Sequence, residues 1–175
     1  MKRPLPAGGL LLLIFAFLIG LVVGKATPQT PVSQEVIVPT LQEGVRADAE
    51  GYYRVARVLD GDTIELTTGE RVRYHGIDAP EHTERWGTVA YETNRDLVEG
   101  NTVRIEFDRE RRDVYGRILA YVWVEEVMVN ERLVEDGLAN VFLIKGEAKP
   151  KYLSRLQAAE DRAREAARGL WTPLP

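Results

Sequence analysis

From Gly51 to Val124 the chain is cut into short β-branched segments by turn residues, and this succession limits its fold more than any other feature. Tyr53-Arg54-Val55-Ala56-Arg57-Val58-Leu59 partly alternates and reads as a strand. Asp60-Gly61-Asp62 is a turn signal, and Thr63–Thr67 is a second strand. Thr68-Gly69-Glu70 turns the chain into a third, Arg71–Ile77, which Asp78-Ala79-Pro80-Glu81 ends. Thr102–Phe107 and Ile118–Val124 follow as fourth and fifth strands around a charged loop.

Helical spacing fills the gaps. Val89, Ala90, Leu97 and Val98 predict a helix over Thr88–Glu99, with Thr88 as N-cap and Gly100 as stop. Asn130 is read as the cap of a short helix that Gly137 ends. Lys149-Pro150 opens a long helix to about Arg168, followed by Gly169. Leu156, Ala159, Ala163 and Ala166 would turn one face of it onto the strands. Five strands with a helix between the third and fourth give an α+β chain, a five-stranded Greek-key barrel of the OB type carrying three helices.

A hydrophobic N-terminal helix is expected to precede this barrel. Lys2 and Arg3 stand before an apolar run, Leu10–Val23, that no charge interrupts. It reads as a transmembrane anchor or as a signal peptide cleaved at Gly24-Lys25-Ala26, with the anchor preferred. A core helix is a poor alternative, because nothing nearby would cover a helix apolar on every side. Either reading places the rest of the chain outside the cytoplasm, membrane-anchored and facing outward or secreted. Residues 27–50 hold Pro28, Pro31 and Pro39 among polar residues and read as a linker. The expected organisation is therefore 1–26 export segment, 27–50 linker and 51–175 folded domain.

Composition narrows the chemistry. There is no cysteine, so disulfides and thiolate-held metals are excluded. His75 and His82 are the only histidines, and both are read as structural or exposed. A metal would therefore lean on oxygen, which points to calcium, magnesium or manganese. The net charge is −4, which counts mildly against a phosphate-binding partner, although a bound dication and local arginines reverse the field at a small site.

Asp62 and Asp78 fall at the same open end of the hairpin formed by strands two and three. Two carboxylates so close repel unless a cation neutralises them, and the carbonyl of Ala79 would add a third oxygen. Glu81, past the stiff Pro80, is a candidate to take a proton from water. Arg73 and Arg117 would clamp a phosphodiester. One conflict stands: on a single strand, the odd spacing from Arg73 to Asp78 puts the two on opposite faces unless a bulge intervenes.

The chain resembles the staphylococcal nuclease family through Leu59-Asp60-Gly61-Asp62-Thr63-Ile64, then Val72-Arg73-Tyr74 through Ile77-Asp78-Ala79-Pro80-Glu81, then Asp113-Val114-Tyr115-Gly116-Arg117. Val129-Asn130-Glu131, Gly137-Leu138-Ala139 and Gly169-Leu170-Trp171 match more weakly. The resemblance implies calcium held by Asp62, Asp78 and the Ala79 carbonyl. It implies Arg73, Glu81 and Arg117 as catalytic residues hydrolysing DNA or RNA, with Tyr115 holding a substrate phosphate, and it implies that Arg73 and Asp78 share one pocket. A monomer is expected. Val114 stands where the family's best-known members have a lysine, and Leu143 near their nucleotide-stacking tyrosine.

Taken singly, each of these residues has a plainer reading: Asp62 as a turn cap, Arg73 as a solvated strand residue, Glu81 as a surface carboxylate. Trp86, Trp123 and Trp171 are read as packing residues, and Arg162, Arg164 and Arg168 as a solvated, ion-paired helix face. The rivals to an enzyme are a non-catalytic nucleic-acid binding module and a surface module for a protein or glycan.

Overall fold

The protein is described from a computed structural model, which covers residues 47, 49–143 and 148–174. The apolar run and nearly all of the expected linker lie outside the described residues. Among the described residues no helix is long and apolar enough to cross a membrane.

Five strands close into a barrel: β1 (Gly51–Asp60), β2 (Thr63–Leu66), β3 (Arg71–Tyr74), β5 (Thr102–Arg112) and β6 (Ile118–Val124). Neighbours run antiparallel in the order β3-β2-β1-β5-β6, and a parallel pairing of β3 with β6 seals the seam, Val72 opposite Ile118. β1 serves two sides, pairing β5 through Gly51–Arg54 and β2 through Val55–Asp60. Register shifts in its second half add the twist that closing so small a barrel requires. Val55, Ile64, Leu66, Val72, Ile105 and Val122 fill the interior and are almost wholly buried. Each such side chain contributes roughly 1.5–3 kcal/mol on leaving water.

The segment expected as one strand, Arg71–Ile77, is two. β3 stops at Tyr74, His75 and Gly76 turn, and β4 (Ile77–Asp78) pairs with a different partner, β8 (Asn140–Val141). Gly76 adopts φ +79°, which side chains rarely tolerate, so the break is written in that glycine. A short β7 (Val127–Met128) extends the sheet beyond β6.

Three helices cover the barrel: α1 (Gly87–Val98), α2 (Val129–Glu135) and α3 (Leu153–Glu165). Their starts differ from the expected ones. Trp86, in the left-handed conformation, precedes α1, and Thr88 does not cap it. Asn130 is not a cap either. It lies inside α2, fully buried, accepting from the Val122 N–H (2.9 Å) and donating to the His75 carbonyl (3.0 Å). Of the expected apolar face of α3, Leu156, Ala159 and Ala163 are buried while Ala166 is exposed. That face packs chiefly on α2, and ion pairs from Arg162 to Glu131 and Glu135 fasten the two helices at their rim.

Ala47 and Glu50, at the end of the expected linker, belong to the barrel's surroundings. Ala47 is fully buried with its N–H on the Glu70 carboxylate, and Glu50 accepts from the Phe107 N–H (3.1 Å).

Candidate active site

Asp62 enters β2 directly from the Asp60-Gly61 turn and is buried at 4% exposure. Its carboxylate accepts from the Thr63 hydroxyl (3.0 Å) and the Ala79 N–H (2.7 Å), and pairs with Nη1 of Arg73 at 2.6 Å. Burial pushes its pKa up to about 6, against the opposing pull of Arg73 and the two hydrogen bonds.

Arg73 spans the gap between the two acids. Nη1 also donates to the carbonyls of Ile77 (2.9 Å) and Tyr74 (3.2 Å), and Nη2 reaches Oδ1 of Asp78 at 2.5 Å. The turn at Gly76 makes this reach possible: Arg73 and Asp78 stand on different strands, so alternation along one strand does not apply to them. Asp78, unlike Asp62, has a side chain more than half exposed. Ala79 joins the group through its N–H.

Arg117 and Tyr115 come from the loop between β5 and β6. Asp113 organises that loop, accepting from the Tyr115 and Arg117 N–H groups (both 2.9 Å) and from Nε of Arg117 (2.6 Å). The Arg117 guanidinium lies 5.5 Å from the Tyr115 ring centre, and its Nη atoms make no hydrogen bond among the described residues. Arg73, Asp78, Tyr115 and Arg117 all line one groove of about 750 Å³. Val114, Phe142 and Leu143 give the same groove an apolar side.

Glu81 is not among the groove's lining residues. It is exposed, its carboxylate makes no ion pair among the described residues, and its N–H donates to Oε2 of Glu84 (3.0 Å). Its backbone is nonetheless tightly held. A Cβ on Gly87 would come within 1.8 Å of the Glu81 carbonyl oxygen, so the start of α1 accepts only glycine against this turn.

One buried amide beside the site, Asn94, has no counterpart among the residues the sequence pattern singles out. Asn94 of α1 accepts from the Tyr74 hydroxyl (2.8 Å) and donates to the Asp60 carbonyl (3.0 Å), which ties helix, barrel and the Asp62 turn together. Its only signal was a polar residue on the inner face of α1. His75 and the tryptophans fit their structural reading: His75 is largely buried beside Asp108, its pKa lowered by burial, and Trp123 packs beneath Arg104 and Arg155.

Among the described residues no three His, Asp or Glu side chains gather as a metal cage. Two carboxylates sharing one guanidinium still leave excess negative charge, and every side-chain donor is a hard oxygen. A hard dication completed by backbone and water oxygens fits that set.

The chain thus has a closed five-stranded barrel of the OB type with two acids and two arginines gathered at one groove. The family model described as "Staphylococcal nuclease homologue" matches residues 71–173. A thermonuclease of Staphylococcus hyicus is 32% identical over 143 residues, 77% of this chain and 83% of the relative. A thermonuclease of Staphylococcus intermedius is 35% identical, covering 68% of this chain and 75% of its own length. An uncharacterized endonuclease of Escherichia coli is 38% identical, covering 74% and 83%. The chain belongs to the staphylococcal nuclease family and is a hydrolase of the nuclease class.

Proposed function

We propose that the chain is a calcium-dependent nuclease that hydrolyses the phosphodiester bonds of DNA or RNA outside the cytoplasm. The observation that carries the catalytic part is Arg73 spanning buried Asp62 and exposed Asp78 on a groove that Arg117 also lines. Asp62, Asp78 and the carbonyl of Ala79 would hold the ion. Held by those oxygens, the ion would supply Lewis acidity to a phosphate oxygen and would make water easier to deprotonate.

The chain's own residues do the rest. Asp62 and Asp78 hold Arg73 stretched, so its guanidinium meets a phosphate already oriented. Arg117 is anchored through Nε, which leaves its Nη edge to donate to oxygens whose charge grows in the transition state. Tyr115, exposed at the groove's edge, holds a neighbouring phosphate through its hydroxyl. Glu81, whose carboxylate makes no ion pair among the described residues, accepts the proton of the attacking water. Export or anchoring rests on the apolar run Leu10–Val23 behind Lys2 and Arg3.

The test is cleavage of single-stranded DNA, duplex DNA and RNA by the full-length chain, with calcium and then with chelator. Glu81→Gln and Arg117→Ala should each cut turnover by about 100-fold or more while the circular dichroism of the fold persists. Binding without cleavage by the wild type would instead favour a non-catalytic module. Fractionation of expressing cells checks the location, and activity confined to the cytosol would remove that part of the reading.

A further inference from the structure

The groove does not end at Tyr115. A second, open cavity of about 620 Å³ shares Arg112, Tyr115 and Arg117 with it and continues over Gly69, Glu70 and Arg71. Its lining carries three arginines and one glutamate, with Arg112 paired to Glu70 and Arg117 to Asp113 just outside it, which leaves Arg71 as the cation least engaged, in a chain whose net charge is −4. A weakly engaged cation beside ion-paired arginines, on an acidic protein, is a place where one phosphate of a polyanion can settle.

Arg71 gives this cavity its most available cation. Its side chain is 62% exposed, and its nearest carboxylate, that of Glu65, is 3.9 Å away. Glu65 is held more closely by Arg57, at 3.0 Å. Arg112, by contrast, is engaged by Glu70 at 2.6 Å and by the Gly116 carbonyl at 2.9 Å. Arg71 and Arg73 both stand on the outward face of β3, with Val72 between them turned into the core. Two residues of a strand are roughly 6–7 Å apart, a step comparable to that between successive phosphates of an extended strand.

We propose that the cavity between the 67–70 turn and the 113–117 loop is a second phosphate subsite. It takes the backbone of a polynucleotide strand beyond the cleavage groove, and Arg71 is its principal ligand. The proposal rests on the nuclease reading and goes further, because it makes the substrate a strand several nucleotides long rather than a single phosphodiester. Arg71 touches no reacting atom in this arrangement; it binds the flanking strand.

The experiment uses the full-length protein with two substrates: a dinucleotide, and a single strand of about 12 nucleotides, within the length that single-strand grooves span. Arg71→Ala should raise KM for the long strand by about 5-fold, as loss of one phosphate contact does, and Arg71→Glu by more. Arg71→Lys should restore most of the affinity. The salt dependence of long-strand binding should weaken by about 0.7 in logarithmic slope. Dinucleotide turnover should stay the same in all variants. Equal effects on both substrates, or none on the long strand, would overturn the subsite. Wild-type protein that cleaves neither substrate would fail the nuclease reading itself. Anisotropy of a labelled long strand then judges the subsite alone, with weaker binding by Arg71→Glu supporting it and unchanged binding refuting it.

Discussion

Arg73 is the residue on which the site turns, because one planar fork meets two carboxylates of unlike exposure. A lysine keeps the charge and loses the fork. Arg73→Lys should therefore lower turnover by about 100-fold, measured by steady-state cleavage, while Arg73→Ala also leaves Asp62 buried without its counter-charge. Asn94 supports the same corner from behind. Asn94→Ala strands the Tyr74 hydroxyl and the Asp60 carbonyl, and should cost about 2–4 kcal/mol in urea unfolding. Legibility differed between these residues for a physical reason. Asp62, Arg73, Asp78, Glu81 and Arg117 stand in short local motifs that sequence displays directly. Asn94 and Asn130 act through partners 20 and 55 residues away, and no local pattern announces such a bond.

At the scale of elements, the chain's turns decide where the chemistry sits. Alternation made Arg71–Ile77 look like one strand and set Arg73 against Asp78. The inward alternation of Val72 and Tyr74 loses its parity at Gly76-Ile77, where two adjacent residues are buried, and the positive φ of that glycine makes the break. The five barrel strands were legible because each is bounded by turn residues, whereas β7 and β8 are two residues long and carry no period. Helix starts were read too simply, since buried packing at Trp86 and Asn130 took the places of side-chain caps. Gly87 gives the element-scale prediction. Gly87→Ala must push the Glu81 turn away from α1, so kcat should fall while KM changes little, with a stability loss of about 1–3 kcal/mol by thermal unfolding.

For the whole molecule, acid sensitivity is concentrated where α3 meets the barrel. Glu106 of β5 is 7% exposed. Burial raises its pKa, but hydrogen bonds from Lys151, Tyr152 and Arg104 prevail and hold it below the ordinary 4.5. Asp108 is likewise held below 3.8, with the Lys151 N–H and the Tyr121 hydroxyl outweighing burial. A carboxyl depressed in the folded state stabilises the fold above its unfolded pKa and ceases to do so as pH falls through its folded pKa. The stabilisation these two carboxyls contribute should thus be undiminished down to about pH 5 and decline below it. Glu106→Gln should flatten that decline in urea titrations from about pH 5 to 3, at the cost of lower stability at neutral pH.

The most direct measurement is calcium-dependent cleavage by the full-length protein at mildly alkaline pH, wild type beside Glu81→Gln. The expected result is cleavage that chelator abolishes, that calcium restores, and that the variant lacks although it remains folded. Wild-type-like cleavage by Glu81→Gln, or cleavage indifferent to chelator, would contradict the assignment of this corner of the barrel as a calcium-assisted hydrolytic site.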